Sequence, residues 1–249
     1  MMPGRPSNCG TQALSTPLRA ETGHISLSRD RPPFVARLWY NAVYWTMWIV
    51  FTLGYSFRRR GWHHLPRRGP VLIVANHQSM FDPILIGLAA RRYLSFLARH
   101  TLFDQPLLGP VIRSLNAIPI DRSFGKEGIQ LVLQALAAGQ AVVMFPEGER
   151  THTGTVQPLK PGVALLIRRV RCPIVPVGIA GAFAAWNRFQ RWPRLAPLWG
   201  PPSEATLAVS VGPPLDPRQL EPLDRQQMLE RLRAAIVQQV EQAERLRRH

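Results

Sequence analysis

With 249 residues, 46% of them hydrophobic, the chain can bury one sizeable domain and an appendage, but not two full domains. Lys and Arg number 31 against 15 Asp and Glu, a formal +16 that is almost all arginine, since Lys126 and Lys160 are the only lysines. That excess calls for a polyanionic partner (nucleic acid, an anionic bilayer or a phosphorylated substrate), while two distant cysteines, Cys9 and Cys172, exclude a disulfide framework and a Cys-based metal site.

In chain order, residues 1–33 are rich in Pro, Gly, Ser and Thr and lack apolar periodicity, which predicts a disordered lead-in. They have no apolar core of a secretory signal; a transit peptide, poor in acid and containing Arg, is the alternative. Residues 34–60 read as a membrane-anchoring helical segment. No residue from Leu38 to Phe57 is charged, and Trp39, Tyr40, Tyr44, Trp45 and Trp48 crowd its first half. Twenty helical residues rise about 30 Å, the thickness of a bilayer core, and crowded aromatics are typical of membrane interfaces. Asn41, Thr46, Thr52, Gly54 and Ser56 dilute the hydrophobicity, so spanning and lying in the interface both stay open. A buried core helix is the plainer alternative. Arg58, Arg59, Arg60, Arg67 and Arg68 follow at once, a cluster that favours the cytoplasmic face of the cell membrane (the inner membrane of a bacterium) and contact with anionic headgroups. An ordinary solvated linker would look similar.

Residues 61–220 alternate short apolar runs with helical patterns, the mark of an α/β layer fold. Strands are predicted at Val71–Ala75, Tyr93–Ala98, Ala117–Ile120, Ala141–Phe145, Ile174–Ile179 and Thr206–Val211. Helices are predicted from about Pro83, over Gly128–Ala138 and over Gly162–Arg171. In residues 221–249, Met228, Leu232, Ile236, Val240 and Leu246 share one helical face from about Asp224 to Arg247. This predicts a docked amphipathic helix whose seam is too short for a coiled coil.

Four short motifs carry chemistry. The first, NHQSMFD at Asn76–Asp82, follows a strand and sets His77 five residues before Asp82. A carboxylate on one ring nitrogen fixes the imidazole tautomer and leaves the other nitrogen free to take a hydroxyl proton. Asp82 followed by Pro83 is also a good helix N-cap. The second motif, FPEGERT at Phe145–Thr151, makes a tight turn that should expose Glu147 and Arg150 at a strand's carboxyl end, where α/β sheets bind ligands. A plain surface turn with a solvated ion pair competes with that reading. Third, NAIPIDR ends a short strand at Asp121 and Arg122, and an Arg there can fork onto a phosphate. Fourth, VPV at Val175–Val177 has a proline within a strand, which predicts a sheet edge or bulge.

In this order, the four motifs resemble the set of the glycerolipid acyltransferase family, the 1-acylglycerol-3-phosphate acyltransferases and their relatives. LKPG at Leu159–Gly162 falls where that family has its Lys/Gly helix start, so the likeness covers roughly Val71 to Gly178. It implies a single α/β domain on a mixed sheet with flanking helices, preceded by an N-terminal membrane-associated helical segment. It implies an enzyme that moves a fatty acyl group from acyl-CoA or acyl-carrier protein, as co-substrate and without a cofactor or metal, to a lysophosphatidate-like lipid at an anionic membrane surface. His77 would be the general base and Asp82 its orienting partner. Arg122 would hold the acceptor's phosphate; Glu147, Gly148 and Arg150 would shape the acceptor pocket, and Lys160 would add positive charge. The acceptor would attack directly, in keeping with the absence of a G-x-S-x-G elbow, so Ser79 reads as a turn or capping residue. Two positions depart from the pattern. Asn116 stands where the family often has Gly, and Glu149, where it often has Thr, leaves acceptor identity in doubt. Glycerol 3-phosphate and other lysolipids are the alternative acceptors. A nucleic-acid-binding protein is the alternative of another class, disfavoured because no recognised module is present and much of the charge lies beside the aromatic segment or in the tail. A catalytically dead membrane scaffold is disfavoured by intact His77 and Asp82.

Overall fold

The computed structural model describes residues 34–106, 108–114, 116–120 and 125–248. In chain order come α1 (Phe34–Tyr55), β1 (Arg58–Arg60), β2 (Val71–Ala75), α2 (Asp82–Ala90), β3 (Ser95–Arg99), α3 (His100–Phe103), α4 (Leu108–Ser114) and β4 (Ala117–Ile120). There follow α5 (Lys126–Ala137), β5 (Ala141–Met144), α6 (Gly162–Ile167), β6 (Ile174–Ala180), α7 (Ala182–Trp186), β7 (Ala208–Val211), α8 (Pro217–Leu220) and α9 (Arg225–Arg248). The seven strands form one sheet in the order β1-β7-β6-β2-β5-β3-β4. Strands β6, β2, β5, β3 and β4 run parallel; β7 is antiparallel to β6, and β1 is parallel to β7. The sheet is therefore mixed, with its parallel part central.

The apolar runs β2, β5 and β6 are buried on both faces, as parallel strands covered by helices must be. Successive side chains alternate faces. Val71, Ile73 and Ala75 pack with α2 and with Phe51 and Tyr55 of α1. Leu72 and Val74 pack with α5, α6 and the Met228, Leu232 and Ile236 stripe of α9. Gly178 lets α9 cross β6: a Cβ there would fall 2.1 Å from the Gln239 carbonyl carbon and the Val240 nitrogen. Any side chain at this position would push the helix off the sheet.

Several expectations change. Pro176 is not at a sheet edge, because β6 lies between β2 and β7. Its missing N–H falls on the β7 side, where the Pro176 carbonyl takes Gly212 N–H and the β7 register ends at Val177–Val211. Arg58, Arg59 and Arg60 are not a free headgroup-binding cluster but form β1. Arg58 reaches the Leu246 carbonyl, Arg60 reaches Gln242, and Arg59 bonds the Leu88 carbonyl and lies 4.4 Å over Trp48. Arg67 and Arg68 remain exposed. Helix α6 ends at Ile167, short of Arg171, and β3 starts at Ser95 instead of Tyr93.

The aromatic segment forms a helix that divides its two faces. Phe51 and Tyr55 are buried with Tyr44, Met47 and Trp48 packed alongside, whereas Leu38, Trp39, Trp45, Ile49 and Leu53 are exposed. Among the described residues no helix is long and apolar enough to cross a membrane.

Candidate active site

The site is built on the turn after β2. Asn76 starts it: its side-chain oxygen accepts Ile179 N–H (2.8 Å) and its amide donates to the Ile179 carbonyl (3.0 Å), which pins the turn to β6. His77 is then held on four sides. Its N–H donates to Glu147 Oε1 (2.8 Å), its carbonyl accepts Thr151 N–H (2.8 Å), its ring stacks on Phe145 (centroids 4.1 Å apart), and its Nδ1 meets Asp82 Oδ2 at 2.7 Å. A carboxylate oxygen can only accept, so Nδ1 carries the proton and Nε2 is the basic nitrogen. The His77 side chain is 20% exposed and that of Asp82 is wholly buried.

The helix-cap role for Asp82 does not hold. Asp82 is the first residue of α2, and the cap position belongs to Phe81, which makes no side-chain cap bond. Asp82 Oδ2 instead accepts the N–H groups of Gln78 (2.5 Å) and Ser79 (2.8 Å), both before the helix. One oxygen thus closes the turn and orients the imidazole. Ser79 fits its turn role: its hydroxyl donates to the Trp186 carbonyl (2.6 Å) and accepts Phe81 N–H (3.2 Å).

The FPEGER turn follows β5, the neighbour of β2, but Glu147 is not exposed there as predicted. It is 2% exposed, and its two oxygens accept the N–H groups of His77 and Gln157 (both 2.8 Å). The Glu147 side chain turns inward, where two backbone donors need an acceptor. Burial pushes its pKa up to about 7, against the downward pull of the Gln157 and His77 backbone bonds. Glu147 therefore braces the His77 turn and presents no free carboxylate to a ligand. Gly148 has a left-handed φ of 79°, and a Cβ there would lie 3.0 Å from Lys160 Cε, so the Lys160 stem runs along this turn. Lys160 N–H also donates to the Pro146 carbonyl (2.8 Å).

Glu149 faces solvent, where the Arg188 guanidinium bonds it (3.3 Å) and lowers its pKa. Arg188 also reaches the Arg150 carbonyl (3.3 Å) and His152 (2.7 Å). The acid that departs from the family pattern thus has a cation of its own. Arg122 lies outside the described residues; β4, which leads to it, runs parallel to β2 and β5, so its carboxyl end is at the same sheet edge. The structure brings together His77, Asp82 and Glu147, with the Lys160 stem against Gly148 on the same turn and the Arg150 backbone next to Thr151, whose N–H bonds the His77 carbonyl. It adds Asn76, Phe145, Thr151 and Gln157, of which Gln157 has no signal in the sequence at all. Among the described residues no group of three or more His, Cys, Asp or Glu side chains is placed to hold a metal ion.

Residues 56–180, half of the chain, match the family model described as Acyltransferase. The chain is 24% identical over 183 residues to a 1-acyl-sn-glycerol-3-phosphate acyltransferase of Bacillus subtilis (strain 168), covering 73% of this chain and 84% of that protein. A protein of the same description from Pseudomonas aeruginosa is 29% identical over 189 residues, covering 74% and 68%. Another from Limnanthes douglasii is 28% identical over 144 residues, covering 56% and 50%, so the chain spans half the length of that plant relative. The crystal structure of the 1-acyl-sn-glycerophosphate (LPA) acyltransferase PlsC from Thermotoga maritima superposes with a TM-score of 0.69 at 22% identity. The match covers 84% of this chain and 81% of that one, and the two share a fold.

Proposed function

This chain belongs to the acyltransferase family, and we propose that it moves a fatty acyl group from acyl-CoA or acyl-carrier protein to the sn-2 hydroxyl of 1-acylglycerol 3-phosphate, yielding phosphatidic acid. The observation that carries the reading is the His77–Asp82 contact of 2.7 Å at the carboxyl edge of the sheet, with Glu147 bracing the same turn. His77 Nε2 takes the acceptor's hydroxyl proton as its oxygen attacks the thioester carbonyl. The tetrahedral intermediate collapses, the C–S bond breaks, and the imidazolium returns the proton to the departing thiolate. Asp82 holds the tautomer and offsets the imidazolium charge. Arg122 binds the acceptor's phosphate, with Arg150 and Lys160 near the same edge.

The exposed aromatic face of α1 lies along the cytoplasmic surface of the membrane, with its opposite face bound into the core. The test crosses both donors with 1-acylglycerol 3-phosphate, glycerol 3-phosphate and an uncharged lysolipid, following thiol release by the purified full chain. The reading expects release with the phosphate-bearing lysolipid and its loss in His77→Ala. Equal rates with the uncharged lysolipid would overturn the acceptor assignment, and no release with any pair would overturn the activity.

A further inference from the structure

The segment 187–200 joins α7 to the chain leading into β7, and its backbone is fastened although it forms neither helix nor strand. Arg194 N–H donates to the Ala185 carbonyl (2.7 Å), Ala196 N–H to Gly54 (2.9 Å) and Leu198 N–H to Leu53 (2.9 Å). The Ala196 carbonyl accepts the Ser56 hydroxyl (2.9 Å), and Ala196 is buried. The large side chains around it point outward: Phe189 is 67% exposed, Trp192 74%, Leu195 66%, Leu198 51% and Trp199 81%. Holding five such groups in water on an ordered backbone is unfavourable unless something covers them.

Charge and continuity indicate what does. Arg188, Arg191 and Arg194 interleave the aromatics, and residues 187–203 contain no acid. The Arg191 guanidinium lies 6.0 Å from the Trp192 ring centre. Through the bonds to Leu53 and Gly54 the segment adjoins the last two turns of α1, where Ile49, Val50 and Leu53 are also exposed. Tryptophans with basic neighbours and no acids match a boundary where acyl chains give way to anionic headgroups. At its start, Arg188 ties the segment to the catalytic turn through Glu149 and the Arg150 carbonyl. We infer that segment 187–200 is a second bilayer-contacting element, which with α1 docks the mouth of the His77 site onto an anionic lipid leaflet. This extends the bilayer-facing reading of α1 and is independent of which acceptor is acylated.

The experiment is co-sedimentation of the full chain with vesicles of phosphatidylcholine alone or of equal parts phosphatidylcholine and phosphatidylglycerol. Two double variants, Trp192→Ser with Trp199→Ser and Arg191→Gln with Arg194→Gln, are compared with the wild type. The tryptophan pair should weaken binding to both vesicles by about ten-fold or more. The arginine pair should weaken it by about ten-fold on anionic vesicles, vanishing at high salt, and leave neutral vesicles unaffected. All four side chains are exposed, so melting should not move. A parallel Trp45→Ser, Ile49→Ser variant reads α1 separately: if it binds as wild type, the α1 reading fails while that of the segment is decided by its own variants. Unchanged binding in the tryptophan pair overturns the inference. So does a wild type that light scattering shows to be a dimer, made monomeric by the substitutions without loss of vesicle binding.

Discussion

The turn after β2 and the segment after α7 invert the usual placement of side chains in opposite directions. At the turn, Asp82 and Glu147 are buried carboxylates, each holding backbone N–H groups as well as serving His77. In the segment, tryptophans and leucines stand in solvent above a fastened backbone. Each inversion costs stability where it occurs, and the sheet and its two helical layers bear that cost. The buried acids have their partners in the turn itself; the exposed apolar groups have no cover among the described residues. Substitutions should therefore lose turnover or stability at the turn, and only surface binding in the segment.

The largest expected effect is on turnover at His77. His77→Ala should lower kcat by about a hundred- to ten-thousand-fold, the range of general-base catalysis. Asp82→Asn should lower kcat heavily as well, since an amide there can present a donor to Nδ1 and favour the wrong tautomer. Steady-state kinetics together with circular dichroism separates this from unfolding. A folded His77→Ala with near-normal kcat would end the comparison, because the buried acids would then serve only the turn.

Next in size is the pH dependence of stability from Glu147. Its pKa is about 7 in the folded chain against an ordinary 4.5, so between those values the folded state holds a proton that the unfolded state has lost. Stability from this group is complete below pH 4.5 and declines as pH rises through about 7, by about 3 kcal/mol. Urea titrations at mildly acidic and mildly basic pH should show the decline in wild type and its loss in Glu147→Gln. Parallel curves would mean that the two backbone bonds outweigh burial and keep Glu147 ionised throughout.

How much of this could be read from residues alone differs between the two regions. Strands β2, β5 and β6 were legible because a buried parallel strand is an unbroken apolar run, β4 because its short apolar run survives at the half-buried sheet edge, and α9 because its stripe repeats at helical spacing. His77 and Asp82 were legible because five residues across a strand-to-helix turn suffice to close the pair. The burial of Glu147 was not, since its donors come from positions 77 and 157, and only the adjacency of β2 and β5 brings them together. Nor was β1 legible: Arg58–Arg60 has the composition of a basic linker, and its pairing with β7 lies about 150 residues away in sequence. Segment 187–200 has no periodicity, and the exposure of Trp192 and Trp199 follows from bonds to α1 that no local pattern encodes.

Arg122 lies between the regions in size of effect. Hydrogen bonds to a charged group are worth roughly 1.5–3 kcal/mol, so Arg122→Met should raise the acceptor KM or lower kcat/KM by about ten- to a hundred-fold. Arg122→Lys keeps the charge without the fork and should fall between Met and wild type. Kinetics with each substrate varied in turn should leave the donor's KM nearly unchanged. A collapse confined to the donor would assign Arg122 to the thioester side and leave the phosphate to Arg150 or Lys160.

The smallest expected effect is the stability change in Trp199→Ser. A buried tryptophan cut to a small residue costs about 3–5 kcal/mol through lost transfer energy and the cavity left behind. Trp199 is 81% exposed, however, and its neighbour Leu198 fastens the backbone through an N–H bond that any side chain at 199 would permit. Surface substitutions of this kind stay within about 0.5 kcal/mol, so the urea midpoint should scarcely move. Phe51→Ala is the control, since Phe51 is 2% exposed on the inner face of α1 against Phe81, and it should show the full core penalty. If Trp199→Ser instead destabilises the chain as Phe51→Ala does, the indole is packing that the fold requires. The segment would then be a structural strap, and its apolar surface would no longer contrast with the buried acids of the His77 turn.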